Sequence, residues 1–382
     1  MNLGRFYSAI LSIKTEIKND NNFKLLRDLQ LHLQNFINQK TSESAKIFTE
    51  NYSSFINTLE NADSNFTYPT RRKIYREIGA TEHVGIGLAN KIKTIMTENK
   101  MLPEIALAEI KKITAEASIF LKKINTLNIT FHDMGIEYDE LDAGKFEIGF
   151  SFPHEVIGTD VESLEKEFHK LDFALKTLQE ISVGEVSQIR IKTISASEWQ
   201  VFIDSGLTLA ACTVVAIERI VALYKNNLEI KLLKQQLDKK KLPKKVTKPL
   251  QDHIEQTVKA ELRKIGEDLV EEFYKVKDDG RKNELTNKAS QALQYLANRM
   301  DCGTTVEVHA KPLEKPKEKV ARNNEEAIKT NQKILKEYKR INKIIDKINQ
   351  SSKTMLELEQ STEPILSLQF DEKNQKKNQS SD

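Results

Sequence analysis

Chemistry near neutral pH is most readily done by histidine and cysteine, and this chain spreads both thinly. His32, His83, His132, His154, His169, His253 and His309 include no HExxH pair and no close pairing with a cysteine, so no metal ion or cofactor is expected. Cys212 falls in an apolar run and reads as packing, while Cys302 follows Asp301, whose charge would raise a thiol pKa and blunt a nucleophile. Neither belongs to a CxxC, which suits a reducing cytoplasm and no disulfide framework. The sequence carries no GxSxG, Walker or kinase signature, and Gly85-Ile-Gly87 is a lone GxG that follows no strand pattern. No catalytic set is expected, and the chain reads as a non-enzyme.

Carboxylates and cations offer two further chemistries. Two-metal catalysis needs paired acids on neighbouring strands, but the first candidate strand carries only Glu147 and the central hairpin only Glu198. Asp133, Glu137, Asp139, Glu140 and Asp142 read as a solvated acidic turn. Arg71, Arg72, Lys73 and Arg76 gather at a helix start, and Arg190 and Lys192 share a strand. Arg71, Arg72, Arg76, Arg190 and Lys192 are therefore the candidate phosphate or nucleic-acid contacts. Apart from Phe202 no aromatic is placed among the sheet's polar positions for stacking, and such patches are more often solvated faces. Lys plus Arg at 59 against Asp plus Glu at 56 leaves a net +3, too small for a global basic field.

These side chains need elements to hold them. The apolar spacing of Phe23, Leu26, Leu29, Leu33 and Phe36, then of Phe48, Tyr52, Phe55 and Leu59, predicts two antiparallel helices over 3–60. Pro69 and Pro103 stand where first helical residues should, so residues 1–140 read as an all-helical module. The period changes at Lys145: Phe146, Ile148, Phe150 and Phe152 alternate as in a half-buried strand, closed by Pro153. A helix follows, then strands over 187–193 and 199–203, a long helix over 205–240, two more helices and a fourth strand at 304–310. Strand, helix, strand, strand, helices, strand is the βαββαβ order of a ferredoxin-like sheet, here with an enlarged helical second crossover spanning 145–310. One face should be covered by helices. The other should stay open and polar, with Lys145, Glu147, Gln188, Arg190, Lys192, Gln200, Glu307 and His309 on it. The predicted fold class is α+β, mostly helical.

The run from Gly206 to Ile217 is uncharged but, at 12 residues, too short to span a bilayer, and Glu218 and Arg219 interrupt its continuation. Stable membrane insertion is not expected, and the N-terminus has no signal-peptide pattern. Residues 311–322 read as a Pro- and Lys-rich linker. Over 323–360 a heptad-like seam runs Ala327, Asn331, Ile334, Tyr338, Ile341, Ile345, Ile348, Ser352 and Met355, which fits either a coiled coil with an Asn fixing register or an amphipathic helix folded onto its own chain. The tail 361–382 reads as disordered, with an apolar island at 364–368.

The runs TRRKIYREIGA, FEIGFSFP, RIKTISASEWQVFI, AIERIVALYK and GRKNEL, all within about residues 60–310, resemble an uncharacterised family of bacterial proteins with no assigned activity. The resemblance implies a bacterial, cytoplasmic setting and no site residues. The leading expectation is a scaffold or interaction protein that self-associates, with Ile334, Tyr338, Ile341, Ile345 and Ile348 as the oligomer seam, and that presents a surface to a protein partner. The second is a nucleic-acid-binding component of a bacterial defence or mobile-element system. The third is a membrane-associating effector acting through 206–224.

Overall fold

The computed structural model describes residues 2–158, 160–195, 199–226, 244–276, 278–316, 325–354 and Leu366. The chain is α+β and mostly helical, with one small antiparallel sheet. It divides into two compact units, Met1–Glu140 and Leu141–Asp382.

The N-terminal unit is helical: α1 (Leu3–Asn19), α2 (Asn22–Gln39), α3 (Ser42–Glu60), α4 (Pro69–Glu77), α5 (Gly85–Glu98) and α6 (Pro103–Asp133). Residues 3–60 therefore hold three helices, not the two that the apolar spacing predicts. The extra break falls in the run Asn19-Asp20-Asn21-Asn22, where short polar side chains compete with helical bonding and Asn21 takes a left-handed φ of 50°. Thr41 and Ser44 close a capping box at α3, while Pro69 and Pro103 occupy the first turns of α4 and α6. The inner faces meet around Ile10, Leu26, Leu29, Phe55, Leu59 and Tyr75, all fully buried or nearly so.

The C-terminal unit runs β1 (Phe146–Phe152), α7 (His154–Ile157), α8 (Val161–Val183), β2 (Ile191–Ser195), β3 (Trp199–Ser205), α9 (Leu207–Asn226), α10 (Lys244–Phe273), α11 (Asp279–Asp301), β4 (Thr305–Ala310) and α12 (Glu325–Thr354). The strand order is β2-β3-β1-β4 and every pairing is antiparallel. The register aligns Ile148 with Ile203 and Val308, and Phe150 with Val201 and Val306, so the alternating side chains of three strands form one apolar face. Helix α9 is the hub under it, touching α8, α10, α11, α12, β1 and β4. By length and composition Leu207–Lys225 could cross a membrane. Leu209, Val214, Ile217, Ile220 and Tyr224 are instead buried in the unit's own core. Residues 227–243, the predicted continuation of this helix, lie outside the described set, as do linker residues 317–322 and all of the tail except Leu366.

Helix α12 closes the β4 edge. Asn349 Oδ1 accepts from Ala310 N at 3.2 Å while its Nδ2 donates to Ala310 O at 2.8 Å, and Asn342 Oδ1 accepts from Leu313 N at 2.9 Å. Seven residues of helix rise about 10.5 Å, and three residues of extended chain span about 10 Å, so the two amides match the spacing of the edge they cap. Asn349→Ala should strand both backbone groups of Ala310 and cost about 1–3 kcal/mol. The chain has one tryptophan, Trp199, in this unit, so its fluorescence through a urea titration reads the loss directly. An unchanged midpoint would show that water replaces the amide.

Candidate functional site

The second face of the sheet carries Glu147, Gly149 and Ser151 on β1, Gln200, Phe202 and Asp204 on β3, and Thr305, Glu307 and His309 on β4. The expectation of a face left open to water is corrected here: Glu147 is 1% exposed, Glu307 2%, and Gln200 is buried too. The reason lies in how these side chains cover one another. Gly149 has no side chain, so the ring of Phe202 settles over it, so close that a Cβ there would lie 2.3 Å from a ring carbon. The His309 ring stands edge-on to Phe202 at 6.3 Å. A register shift between Ile191 and Thr193 makes Lys192 an extra residue in β2, and the bulge turns it across β3. Lys192 Nζ then meets Glu147 Oε2 at 2.9 Å, and His309 Nε2 lies 3.0 Å from Glu307 Oε1. Among the described residues, no three His, Cys, Asp or Glu are grouped as a metal site.

The sheet's two edges differ sharply. β4 is closed by α12, whereas no described strand or helix pairs with the outer edge of β2. Ile191 aligns with Ile203 and Ile194 with Val201, so these two extend the apolar rows of the covered face. Each row is buried across β3, β1 and β4, then ends in an exposed isoleucine, 52% for Ile191 and 48% for Ile194. The helical layer stops one strand short. An edge of this kind, unpaired and bordered on one face by two exposed isoleucines, is a template for another strand.

The residues singled out from sequence fall as follows. Arg71 lies over the Tyr68 ring at 6.0 Å, an aromatic partner the sequence reading had not assigned, and Arg72 Nη2 donates to Thr67 O at 3.2 Å. Arg76 and Arg190 are exposed, and Lys192 is held by Glu147. Arg71, Arg72 and Arg76 belong to the N-terminal unit, Arg190 and Lys192 to the other. Of the seam, Ile345 and Ile348 are buried in this chain's own core, Ile341 packs against it, and Tyr338 is half-buried. The side chain of Ile334 lies outside the described set. The stripe is largely spent in cis, because α12 docks on β4 and α9. Burial pushes the Cys212 thiol up to about 12 and also raises Cys302, helped there by Asp301.

Two ensembles escaped the sequence reading. Glu167 of α8 is buried, with Arg299 Nε and Nη2 of α11 donating to its two oxygens at 2.5 and 2.6 Å and Tyr295 Oη donating at 2.8 Å. Next to it, Asn298 Nδ2 donates to Leu366 O at 2.6 Å, and the Leu366 side chain is buried in this core. A signal was present: Glu167 sits on the same helical stripe as Leu164, Leu171 and Leu178, where a charge needs a buried partner. In the N-terminal unit a cleft of about 350 Å³ holds His83, stacked on Phe120 at 4.5 Å with Glu116 and Lys123 among the lining residues. Burial, then the charge of Lys91, holds its pKa below 6.5, so the imidazole is neutral at pH 7. No protein-family model, curated protein or solved structure matches the chain.

Proposed function

We propose that this chain is a non-enzymatic interaction protein that self-associates through β2, pairing with the same strand of a second copy across a two-fold axis. The observation that carries the reading is the contrast between the edges: α12 caps β4, while β2 ends the apolar rows at exposed Ile191 and Ile194. In antiparallel pairing centred between Lys192 and Thr193, Ile191 comes opposite Ile194 and Lys192 opposite Thr193, so like faces pair and no like charges meet. The isoleucines of both copies would continue the rows and bury each other, an isologous contact. The sheet itself we read as a split βαβ, ferredoxin-like arrangement with α9, α10 and α11 enlarging the second crossover. Its strand order and antiparallel pairing support that reading.

The test is solution mass by light scattering on the full chain. A mass near twice 43.8 kDa is expected. Ile191→Lys with Ile194→Lys should return a monomer of unchanged circular dichroism, since both positions are exposed and lysines there remove the apolar contact and set like charges opposite each other across the two-fold. A monomeric wild type, or a double variant that keeps its mass, overturns the assignment. Tyr68 under Arg71 favours one second reading, nucleic-acid binding through Arg71, Arg72 and Arg76. Co-purifying nucleic acid that is lost with rising salt, and lost when the three arginines are neutralised, would support it.

A further inference from the structure

The end of α6 builds a cleft that nothing so far has used. Gly135, at φ 68°, closes the helix in a Schellman turn: Ile136 N donates to Phe131 O and Gly135 N to His132 O, each at 3.0 Å. The chain then doubles back along α1. Asp139 N donates to Gly4 O at 3.1 Å, Ser8 Oγ donates to Asp139 O at 2.6 Å, and Arg5 pairs with the Asp139 carboxylate at 3.1 Å. Gly4 permits the approach, because a Cβ there would lie 3.1 Å from Glu137 O. Pinned in this way, Tyr138 stands perpendicular to Tyr7, ring centroids 6.0 Å apart at 88°. The cleft beside them has a volume of about 470 Å³, and Tyr7, His132, Ile136, Glu137, Tyr138 and Glu140 line it. Two of these six are carboxylates and none is a lysine or arginine. The nearby guanidinium, Arg5, is already engaged by Asp139.

We propose that this cleft binds an alkylammonium group. The half-exposed ring of Tyr138, held upright against Tyr7, offers the electron-rich face of its π-system, which attracts a cation. Glu137 and Glu140 supply the compensating charge, and Ile136 gives the carbon stem an apolar wall. The same chemistry describes a free quaternary amine and a lysine side chain of another protein, and the probes below separate them.

The experiment uses the full chain titrated by calorimetry with choline, with its neutral carbon isostere 3,3-dimethylbutan-1-ol, and with a capped trimethyl-lysine dipeptide. Choline is expected to bind at least about tenfold tighter than the isostere, because shape and apolar area are shared and only the charge differs. A dipeptide that outbinds choline assigns the cleft to protein lysines, and one that binds more weakly assigns it to free amines. Tyr138, half exposed, can be changed without disturbing a core. Tyr138→Ala should lose about tenfold or more for choline, Tyr138→Phe should keep it, and Glu137→Gln with Glu140→Gln should weaken it and flatten its salt dependence. Equal binding of choline and its isostere, a Tyr138→Ala variant as tight as wild type, or no heat with any probe up to about 10 mM would overturn the proposal.

Discussion

Arg299→Ala is expected to destabilise the C-terminal unit by about 3–5 kcal/mol, the range for breaking one partner out of a buried ion pair. Glu167 and Arg299 meet through two nearly parallel bonds between α8 and α11, and both side chains are mostly withdrawn from water. Burial opposes the charge on Arg299, but its bonds to Glu167 more than offset this and its pKa is raised. Tyr295 gives the same carboxylate its third bond, and burial with the Glu167 charge holds that phenol well above its ordinary range. Removing the guanidinium leaves an ionised carboxylate with one neutral donor. It also releases Asn298, whose Oδ1 accepts from Arg299 Nη1 at 2.9 Å and whose amide holds Leu366. Urea unfolding followed by Trp199 fluorescence reads this unit alone. Glu167→Gln with Arg299→Met should recover most of the loss, since no charge is then stranded. A cost for Arg299→Ala below about 1 kcal/mol would mean that water reaches the pair and that it is worth no more than a surface bridge.

What could be read in advance was whatever depends on local period. Phe146 to Phe152 alternates because one face of β1 is core, and Pro69 and Pro103 mark helix starts because their missing N–H is needed by no one there. β2 was misplaced by several residues toward the N-terminus. It is a half-covered edge strand with a bulge at Lys192, so its exposed isoleucines break the in–out alternation that identifies a strand.

The rest depends on tertiary pairing that no single segment encodes. Asn342 and Asn349 follow the seam positions Ile341 and Ile348 and carry no signal of their own in the sequence; their role is set by the backbone they meet at Leu313 and Ala310. Glu147 and Glu307 read as solvated because they alternate with apolar residues, and they are buried because Gly149 lets Phe202 lie across the face. Tyr7 and Tyr138 are far apart in sequence and meet only through the turn at Gly135. In each case the missing information is which neighbour covers the residue, not what the residue is.

Glu16 makes the N-terminal unit sensitive to pH near neutrality. Its carboxylate, buried on α1, accepts from Ser64 N at 2.6 Å and from Ser64 Oγ at 2.9 Å. Those bonds favour the ionised form, yet burial outweighs them, and with Asp20 and Asp63 adding repulsion the pKa rises from 4.5 to about 7. The unfolded chain releases this proton first, so the stability that neutral Glu16 contributes is complete below about pH 4.5 and is lost as pH climbs through about 7. The displacement corresponds to about 3 kcal/mol. Asp20, raised by burial and by Asp63, acts with the same sign. His83, held below 6.5, acts with the opposite one, weakening the unit as pH falls. Far-ultraviolet circular dichroism follows both units and Trp199 fluorescence only the C-terminal one, so their difference across a pH series isolates the helical unit. Glu16→Gln keeps an acceptor for Ser64 N and carries no charge, so it should flatten the fall between about pH 5 and about pH 8 and leave the variant more stable than wild type on the alkaline side. If the variant keeps the wild-type slope, the proton belongs to another group and Glu16 is ionised throughout.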